Sequence, residues 1–189
     1  MIRKTAKLNE SPAPRIVQLS SELHRTASSS TAFESLEEIN DESIGANGLY
    51  ARSKVANVLF TKWLASRVLE QGSRIYALAT HPGAVHTGQQ EQFKDAYGEM
   101  LGTALKSVTV PFMRSPEQGS LSTLWAATSP EVEQKNLQGV YVTDPEKVGG
   151  ETKQAQDDAL AGKLWTLSQK LIKEKAGNDA ILDWTEVKA

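Results

Sequence analysis

Three short apolar runs punctuate the chain. Arg15-Ile16-Val17-Gln18-Leu19 follows Ser11-Pro12-Ala13-Pro14 and stops at Ser20-Ser21. Arg74-Ile75-Tyr76-Ala77-Leu78-Ala79-Thr80 stops at His81-Pro82-Gly83, and Gly139-Val140-Tyr141-Val142-Thr143 stops at Asp144-Pro145. Runs of this length, rich in β-branched and aromatic residues and bounded by Ser, Pro and Gly, read as buried strands. Between and after them the apolar residues recur every three to four positions instead. Tyr50 to Leu69 contains no Gly or Pro and sets Val55, Leu59 and Trp63 on one stripe, which predicts a helix closed by Gln71-Gly72. Ser115-Pro116-Glu117 opens a second helix with a cap residue and a proline at the first helical position; it runs through Leu121, Leu124 and Trp125 to Thr128. A third is expected from Glu151 to Lys175, with Leu160, Leu164, Leu167 and Leu171 in phase. Trp63, Trp125 and Trp165 occupy apolar helix positions and are expected in the core.

The order strand, helix, strand, helix, strand, helix, with connections long enough to cross over, predicts an α/β fold around a parallel sheet. Residues 1–14 read as the tail of a helix and a linker, and 15–189 as the domain. The polar stretch from His24 to Gly48, with Ser28-Ser29-Ser30 and the acidic segment Glu34 to Glu42, is expected to be a solvated surface excursion. In parallel sheets functional groups gather at the carboxyl ends of strands, here Ser20-Ser21, His81 to Thr87 and Thr143-Asp144.

Composition narrows the chemistry. The chain has 189 residues, enough for one domain, with 21 basic and 23 acidic side chains and a formal charge of -2, so no basic surface for nucleic acid is expected. It has no cysteine, which removes disulfides, thiolate metal sites and a cysteine nucleophile, and suits a reducing compartment such as the cytosol. No apolar run approaches the roughly 20 residues of a membrane span, and Met1-Ile2-Arg3-Lys4 does not lead into a signal-peptide core. His24, His81 and His86 with Glu22 lack the spacing of a metal site, and Ser21 lacks the Gly-x-Ser-x-Gly elbow of a hydrolase.

Tyr50 and Lys54 are one helical turn apart and share a face. A tyrosine titrates near pH 10, and a neighbouring ammonium that favours phenolate brings it toward neutral-pH acid–base work. Such a pair arises often by chance, and as an isolated feature it reads as an exposed helix pair. Its place in an ordered set is what gives it weight: a serine at the end of the preceding strand, Tyr-x-x-x-Lys opening a helix, and Pro-Gly-x-x-x-Thr at the end of the next strand.

In this ordered set the sequence resembles the short-chain dehydrogenase/reductase family, in particular its retinol-dehydrogenase-like branch. The matching stretches are Arg15 to His24, Tyr50-Ala51-Arg52-Ser53-Lys54 through Phe60, His81-Pro82-Gly83-Ala84-Val85-His86-Thr87, Ser115-Pro116-Glu117-Gln118-Gly119 and Leu164-Trp165-Thr166-Leu167-Ser168. The resemblance implies the last three strands and flanking helices of a Rossmann-like, doubly wound parallel sheet. It implies carbonyl–alcohol interconversion on a small apolar substrate with NADP or NAD, NADP placed first, in a setting such as secondary metabolism, and a homodimer through the Tyr50 helix. By the same resemblance Tyr50 exchanges a proton with the substrate oxygen, and Lys54 lowers the tyrosine pKa and holds the nicotinamide ribose. Ser21, ahead of Ser20, orients the substrate oxygen. Thr87 binds the carboxamide beside Val85, and Pro82 and Gly83 admit the ring close to the backbone.

The sequence departs from the family in one region. No glycine-rich turn between a strand and a helix is present to hold a pyrophosphate; Gly45-Ala46-Asn47-Gly48 and Gly98 to Gly102 stand in other contexts, and the family's relay asparagine is missing. The resemblance therefore implies a chain that starts after the family's first four strands, binds cofactor poorly by itself and turns over little. The alternative is a non-redox descendant acting by binding or dimerisation. Thr87 to Arg114, with Phe93, Tyr97, Met100, Leu101 and Phe112, stands where the family carries its substrate loop; a lid over an apolar substrate and a plain surface helix and loop fit it equally.

Overall fold

A computed structural model of the chain describes residues 2–8, 12–69, 74–86 and 113–180. Helix α1 (Ile2–Lys7) precedes strand β1 (Arg15–Leu19), which is followed by the short helix α2 (Leu36–Ile39), the long helix α3 (Gly45–Trp63) and strand β2 (Tyr76–Thr80). Helices α4 (Pro116–Thr128) and α5 (Glu131–Gln134) lead into β3 (Val140–Asp144), β4 (Lys147–Val148) and helix α6 (Asp158–Ala176). The sheet order is β1-β2-β3-β4, with the first three strands parallel and β4 antiparallel to β3. Leu19 stands opposite Thr80 and Thr80 opposite Val142, so all three parallel strands end at one edge.

Successive strand residues point to opposite faces, and both faces are covered. Leu78 and Val142 pack on Ala126 of α4 and Val132 of α5. Ala79 and Tyr141, on the other face, pack on Val55, Val58 and Leu59 of α3 and on Leu160, Ala161 and Leu164 of α6. This is the α/β arrangement with helices on both sides of a parallel sheet that the pattern of runs predicts. Ser115 caps α4 by accepting from the Gln118 amide at 3.2 Å, and the Gln118 side chain accepts from the Ser115 amide at 3.0 Å, a reciprocal capping box.

The segment from His24 to Gly48 is exposed over most of its length, as its composition predicts, and is anchored at a few points: His24, Thr31 and Phe33 are buried, and the Glu38 carboxylate gathers the backbone amides of Ala32, Phe33 and Glu34 at 2.7, 3.1 and 2.9 Å. Three local expectations are corrected. Helix α3 starts at Gly45, whose φ of 69° turns the chain out of the preceding 3₁₀ turn (Glu42–Ile44). Its α-helical part ends at Trp63 in a π-helical turn, Leu64–Val68, closed by the Leu69 amide on the Leu64 carbonyl at 2.9 Å; Gln71 and Gly72 lie outside the described residues. Helix α6 starts at Asp158, because the Asp157 carboxylate caps the Leu160 amide at 3.0 Å. The tryptophans Trp63, Trp125 and Trp165 are half-buried at the rim of the core rather than in it. Strand β4 was not anticipated; Glu146, with φ of 66°, reverses the chain after Asp144-Pro145 to form it.

Candidate active site

The two serines at the end of β1 differ in how their hydroxyls are used. Ser20 is 2% exposed, its amide donates to the Thr80 carbonyl at 2.7 Å, and its hydroxyl donates to the Lys54 carbonyl at 2.8 Å. Its proton is committed to tying α3 to the sheet. Ser21 has extended backbone and caps a 3₁₀ turn (Glu22–Thr26), its hydroxyl oxygen accepting from the Leu23 amide at 3.2 Å. The Ser21 proton has no acceptor among the described residues and is free to be donated.

Helix α3 brings Tyr50 and Lys54 to the same strand end. The Lys54 ammonium lies 5.2 Å from the Tyr50 ring centroid and donates to the Leu19 carbonyl at 3.2 Å. Burial holds it below the usual ammonium range. Asn57, one turn further along α3, donates its side-chain amide to the same carbonyl at 2.9 Å. The Tyr50 hydroxyl is without a hydrogen-bond partner among the described residues.

The second strand end is built around Gly83 and Arg114. The His81 amide donates to the Val142 carbonyl at 2.8 Å and the His81 carbonyl accepts from the Ser122 hydroxyl at 2.9 Å, which fixes the start of the turn. Gly83 has φ of 85°, and a Cβ there would lie 2.9 Å from Arg114 Cδ, so both backbone and space call for glycine. The Arg114 guanidinium reaches the Asp144 carboxylate at 2.7 Å, and this hydrogen bond holds Asp144 below the usual carboxylate range. Val85 bridges to Arg114 in parallel and packs on α4 at Gly119. Thr87 and the rest of the stretch through residue 112 lie outside the described residues.

A polar network joins the two strand ends. The Glu22 amide donates to His81 Nδ1 at 3.2 Å, and burial keeps the His81 imidazole below its ordinary range, which suits an acceptor nitrogen. Tyr141 donates its hydroxyl to Glu22 Oε1 at 3.0 Å, with burial first and then the Glu22 charge pushing the phenol up, while Arg25 pairs with the other oxygen of Glu22. His24, fully buried, packs edge-on against Tyr141 with 5.1 Å between ring centroids. Asn57, Arg114 and this network were missed in reading the sequence, where Glu22, His24 and His81 were weighed only as metal ligands; the described residues hold no cluster that could bind a metal. For Asn57 the signal was available, since it follows Lys54 by three positions on one helix face. A cavity of about 320 Å³ lined by Leu59, Lys62, Gln138 and Asp157 lies at the opposite, amino end of β3, and none of the residues above lines it.

A serine proton and a phenol without partners among the described residues, with a half-buried ammonium, at the carboxyl edge of a parallel sheet form a set able to bind and protonate an oxygen atom. Known proteins carry the comparison further. No protein-family model matches the chain. The chain is 36% identical over 179 residues to a Neurospora crassa protein named oxidoreductase bli-4, mitochondrial, covering 93% of this chain and 42% of that one. It is 30% identical over 165 residues to human retinol dehydrogenase 14, covering 87% of this chain and 46% of that protein. It is 26% identical over 170 residues to the short chain dehydrogenase/reductase dpchH of Colletotrichum higginsianum, covering 84% of this chain and 41% of that one. The chain thus spans less than half the length of these curated relatives. Among solved structures, an uncharacterized protein from Mycobacterium Paratuberculosis superposes with a TM-score of 0.53 at 26% identity, over 85% of this chain and 50% of that chain.

Proposed function

We propose that, over the part it shares with these relatives, the chain belongs with the short-chain dehydrogenase/reductases and carries the catalytic end of an NAD(P)-dependent oxidoreductase that interconverts a carbonyl and an alcohol. The observation that carries this reading is the convergence of Ser21, Tyr50 and Lys54 at the end of β1, with the ammonium 5.2 Å from the phenol ring and the Ser21 proton free. In reduction, Ser21 donates a hydrogen bond to the carbonyl oxygen and Tyr50 delivers the proton that completes the alcohol; in oxidation Tyr50 takes it back. Lys54 places positive charge beside the phenol, where charge develops as the proton leaves. The hydride is the chemistry that the nicotinamide supplies when bound.

The residues present fit the nicotinamide–ribose end of such a cofactor. Lys54 offers an ammonium to ribose hydroxyls, whereas at Gly83 the space a Cβ would take is filled by the Arg114 side chain, which would have to swing aside for a ring to approach the backbone after β2. This reading assigns cofactor contacts to Pro82 and Val85, and by the resemblance alone to Thr87, which lies outside the described residues, and takes NADP ahead of NAD. Leu19 and Leu23, both about half exposed, flank the serines and favour an apolar substrate. The reading also includes self-association through the part of α3 that α6 leaves uncovered, and a cytosolic setting such as secondary metabolism. The cytosolic part of this rests on the cysteine-free composition and the secondary-metabolism part on the family resemblance alone, whereas the N. crassa relative's name assigns that relative to mitochondria. No described helix is long and apolar enough to cross a membrane.

Two measurements test the reading. NADPH and NADH are titrated against the 189-residue polypeptide while nicotinamide fluorescence is followed; binding weaker than micromolar is expected, since no glycine-rich turn is present for the pyrophosphate, and micromolar binding would refute that expectation. Reduction of apolar aldehydes by a preparation that turns over is then compared with Tyr50→Phe, which should slow it by at least about a hundredfold if Tyr50 is the proton donor. An unchanged rate would show that proton transfer at Tyr50 is not part of the function.

A further inference from the structure

We propose that His24 is a positioning residue: as the neutral Nδ1–H tautomer, it clamps the peptide after Ser21 and thereby aims the Ser21 hydroxyl. The inference rests on the reading of Ser21 as the residue that orients the substrate oxygen. Its geometry is closed at both ends. His24 Nε2 lies 3.2 Å from the Thr152 amide, and an amide can only donate, so Nε2 is the acceptor nitrogen and the ring proton sits on Nδ1. Nδ1 then donates to the Ser21 carbonyl at 2.7 Å, where the His24 amide also donates at 3.0 Å.

Both lone pairs of the Ser21 carbonyl are thus occupied by one residue. On the other side of the same peptide, the Glu22 N–H is held by His81 Nδ1 at 3.2 Å. A peptide pinned at oxygen and at nitrogen fixes the plane that sets Ser21 ψ, 153°, and with it the direction of the Cα–Cβ bond. His24 cannot exchange these bonds for water, because it is fully buried against Tyr141, whose hydroxyl holds Glu22 in the same turn. The loop that carries Thr152 therefore reaches the serine through one imidazole.

Two substitutions separate the halves of the clamp. In His24→Asn the amide nitrogen stands near the position of Nδ1 and keeps the bond to Ser21, whereas in His24→Gln the amide oxygen stands near Nε2 and keeps only the bond from Thr152. The Leu23 amide, which donates to the Ser21 hydroxyl oxygen, reports the Ser21 rotamer without any need for turnover. Its hydrogen exchange is measured by NMR in the ¹⁵N-labelled 189-residue chain, with Ser21→Ala as the reference for a lost bond. His24→Gln should raise Leu23 exchange about tenfold toward the Ser21→Ala value, the loss of roughly one hydrogen bond, and His24→Asn should restore it to within about threefold of wild type.

Equal effects from Asn and Gln would reduce His24 to a packing residue, and unchanged Leu23 protection in His24→Gln would remove the coupling. The ring ¹⁵N shifts of His24 in the unaltered protein need no variant: a proton on Nε2 overturns the proposal outright. Turnover of Ser21→Ala tests the reading of the serine separately, so either can fail while the other stands.

Discussion

Gly119 is the position where the fold and the site are most tightly coupled. It lies in the first turns of α4, and a Cβ built on it would stand 2.3 Å from Val85 Cγ2 and 3.0 Å from Cγ1. Carbon atoms in contact sit at about 3.5–4.0 Å, so Gly119→Ala must displace Val85 or the helix by roughly 1 Å or more. Val85 is β-branched and stiff at χ1, and its backbone is bonded on both sides through Arg114, at 2.8 Å from the Arg114 amide to the Ala84 carbonyl and 2.9 Å from the His86 amide to the Arg114 carbonyl. Overpacking of this kind costs about 1–3 kcal/mol. Alanine in a helix interior recovers about 1 kcal/mol relative to glycine. The expected net result is a loss of up to about 2 kcal/mol, opposite in sign to what helix propensity alone predicts. Urea unfolding of wild type, Gly119→Ala, Val85→Ala and the double variant closes a thermodynamic cycle, in which removing the valine methyls should convert the alanine from destabilising to neutral or stabilising. A coupling of about 1–3 kcal/mol, the overpacking relieved, is expected between the two sites. A Gly119→Ala protein more stable than wild type, or a coupling within about 0.3 kcal/mol of zero, would show that Val85 has room to move and that α4 does not hold the turn after β2.

Further tests probe other parts of the fold. Ser115→Ala removes the capping box at the start of α4 and should cost about 1 kcal/mol in urea unfolding; a change below a few tenths would mean that Pro116 alone sets the helix start. The Arg15 side chain is buried and donates to the Ala126 and Ser129 carbonyls at 2.9 and 2.6 Å, so Arg15→Met should lower the thermal midpoint measurably by leaving the Ala126 carbonyl without its side-chain donor, and an unchanged midpoint would contradict that. For Glu38, burial raises the carboxyl pKa, but the amides of Ala32, Glu34 and Phe33 outweigh it, and the folded value lies below the ordinary one. The unfolded chain therefore binds this proton first, so the stability from ionised Glu38 is fully present above about pH 4.3 and is lost as pH falls through the lower folded value. The gap in midpoint between wild type and Glu38→Gln should narrow from pH 6 down to pH 3; a constant gap would assign the effect to packing.

How far each feature could be read from sequence depends on how local its cause is. Helix α4 was legible to the residue, because Ser115, Pro116 and Gln118 form a cap whose partners lie within one turn. The parallel strands were legible as runs because both faces of the sheet are buried, and the α/β class followed from their alternation with helices. Boundaries failed where a neighbour outside the pattern intervened, as at Asp157, which starts α6 later than its leucines suggest, and at Gly45, which starts α3 earlier than Tyr50.

The candidate site divides along the same line. Tyr50 and Lys54 are a helical pair whose shared face follows from spacing alone. That their ammonium rests on the Leu19 carbonyl, that the Ser20 hydroxyl donates to the Lys54 backbone carbonyl while the Ser21 hydroxyl has no acceptor among the described residues, and that Arg114 fills the space beside Gly83 are decided by contacts between distant segments. Within the largely exposed stretch from His24 to Gly48, His24 shows the limit most clearly: its polar surroundings in the sequence describe a solvated loop, yet Thr152, 128 positions away, and Tyr141 enclose its ring. Periodicity, caps and turn residues act over a few positions and are written in the chain itself. Whether a polar group is solvated or enclosed depends on what the folded sheet brings beside it, and only the tertiary structure decides that.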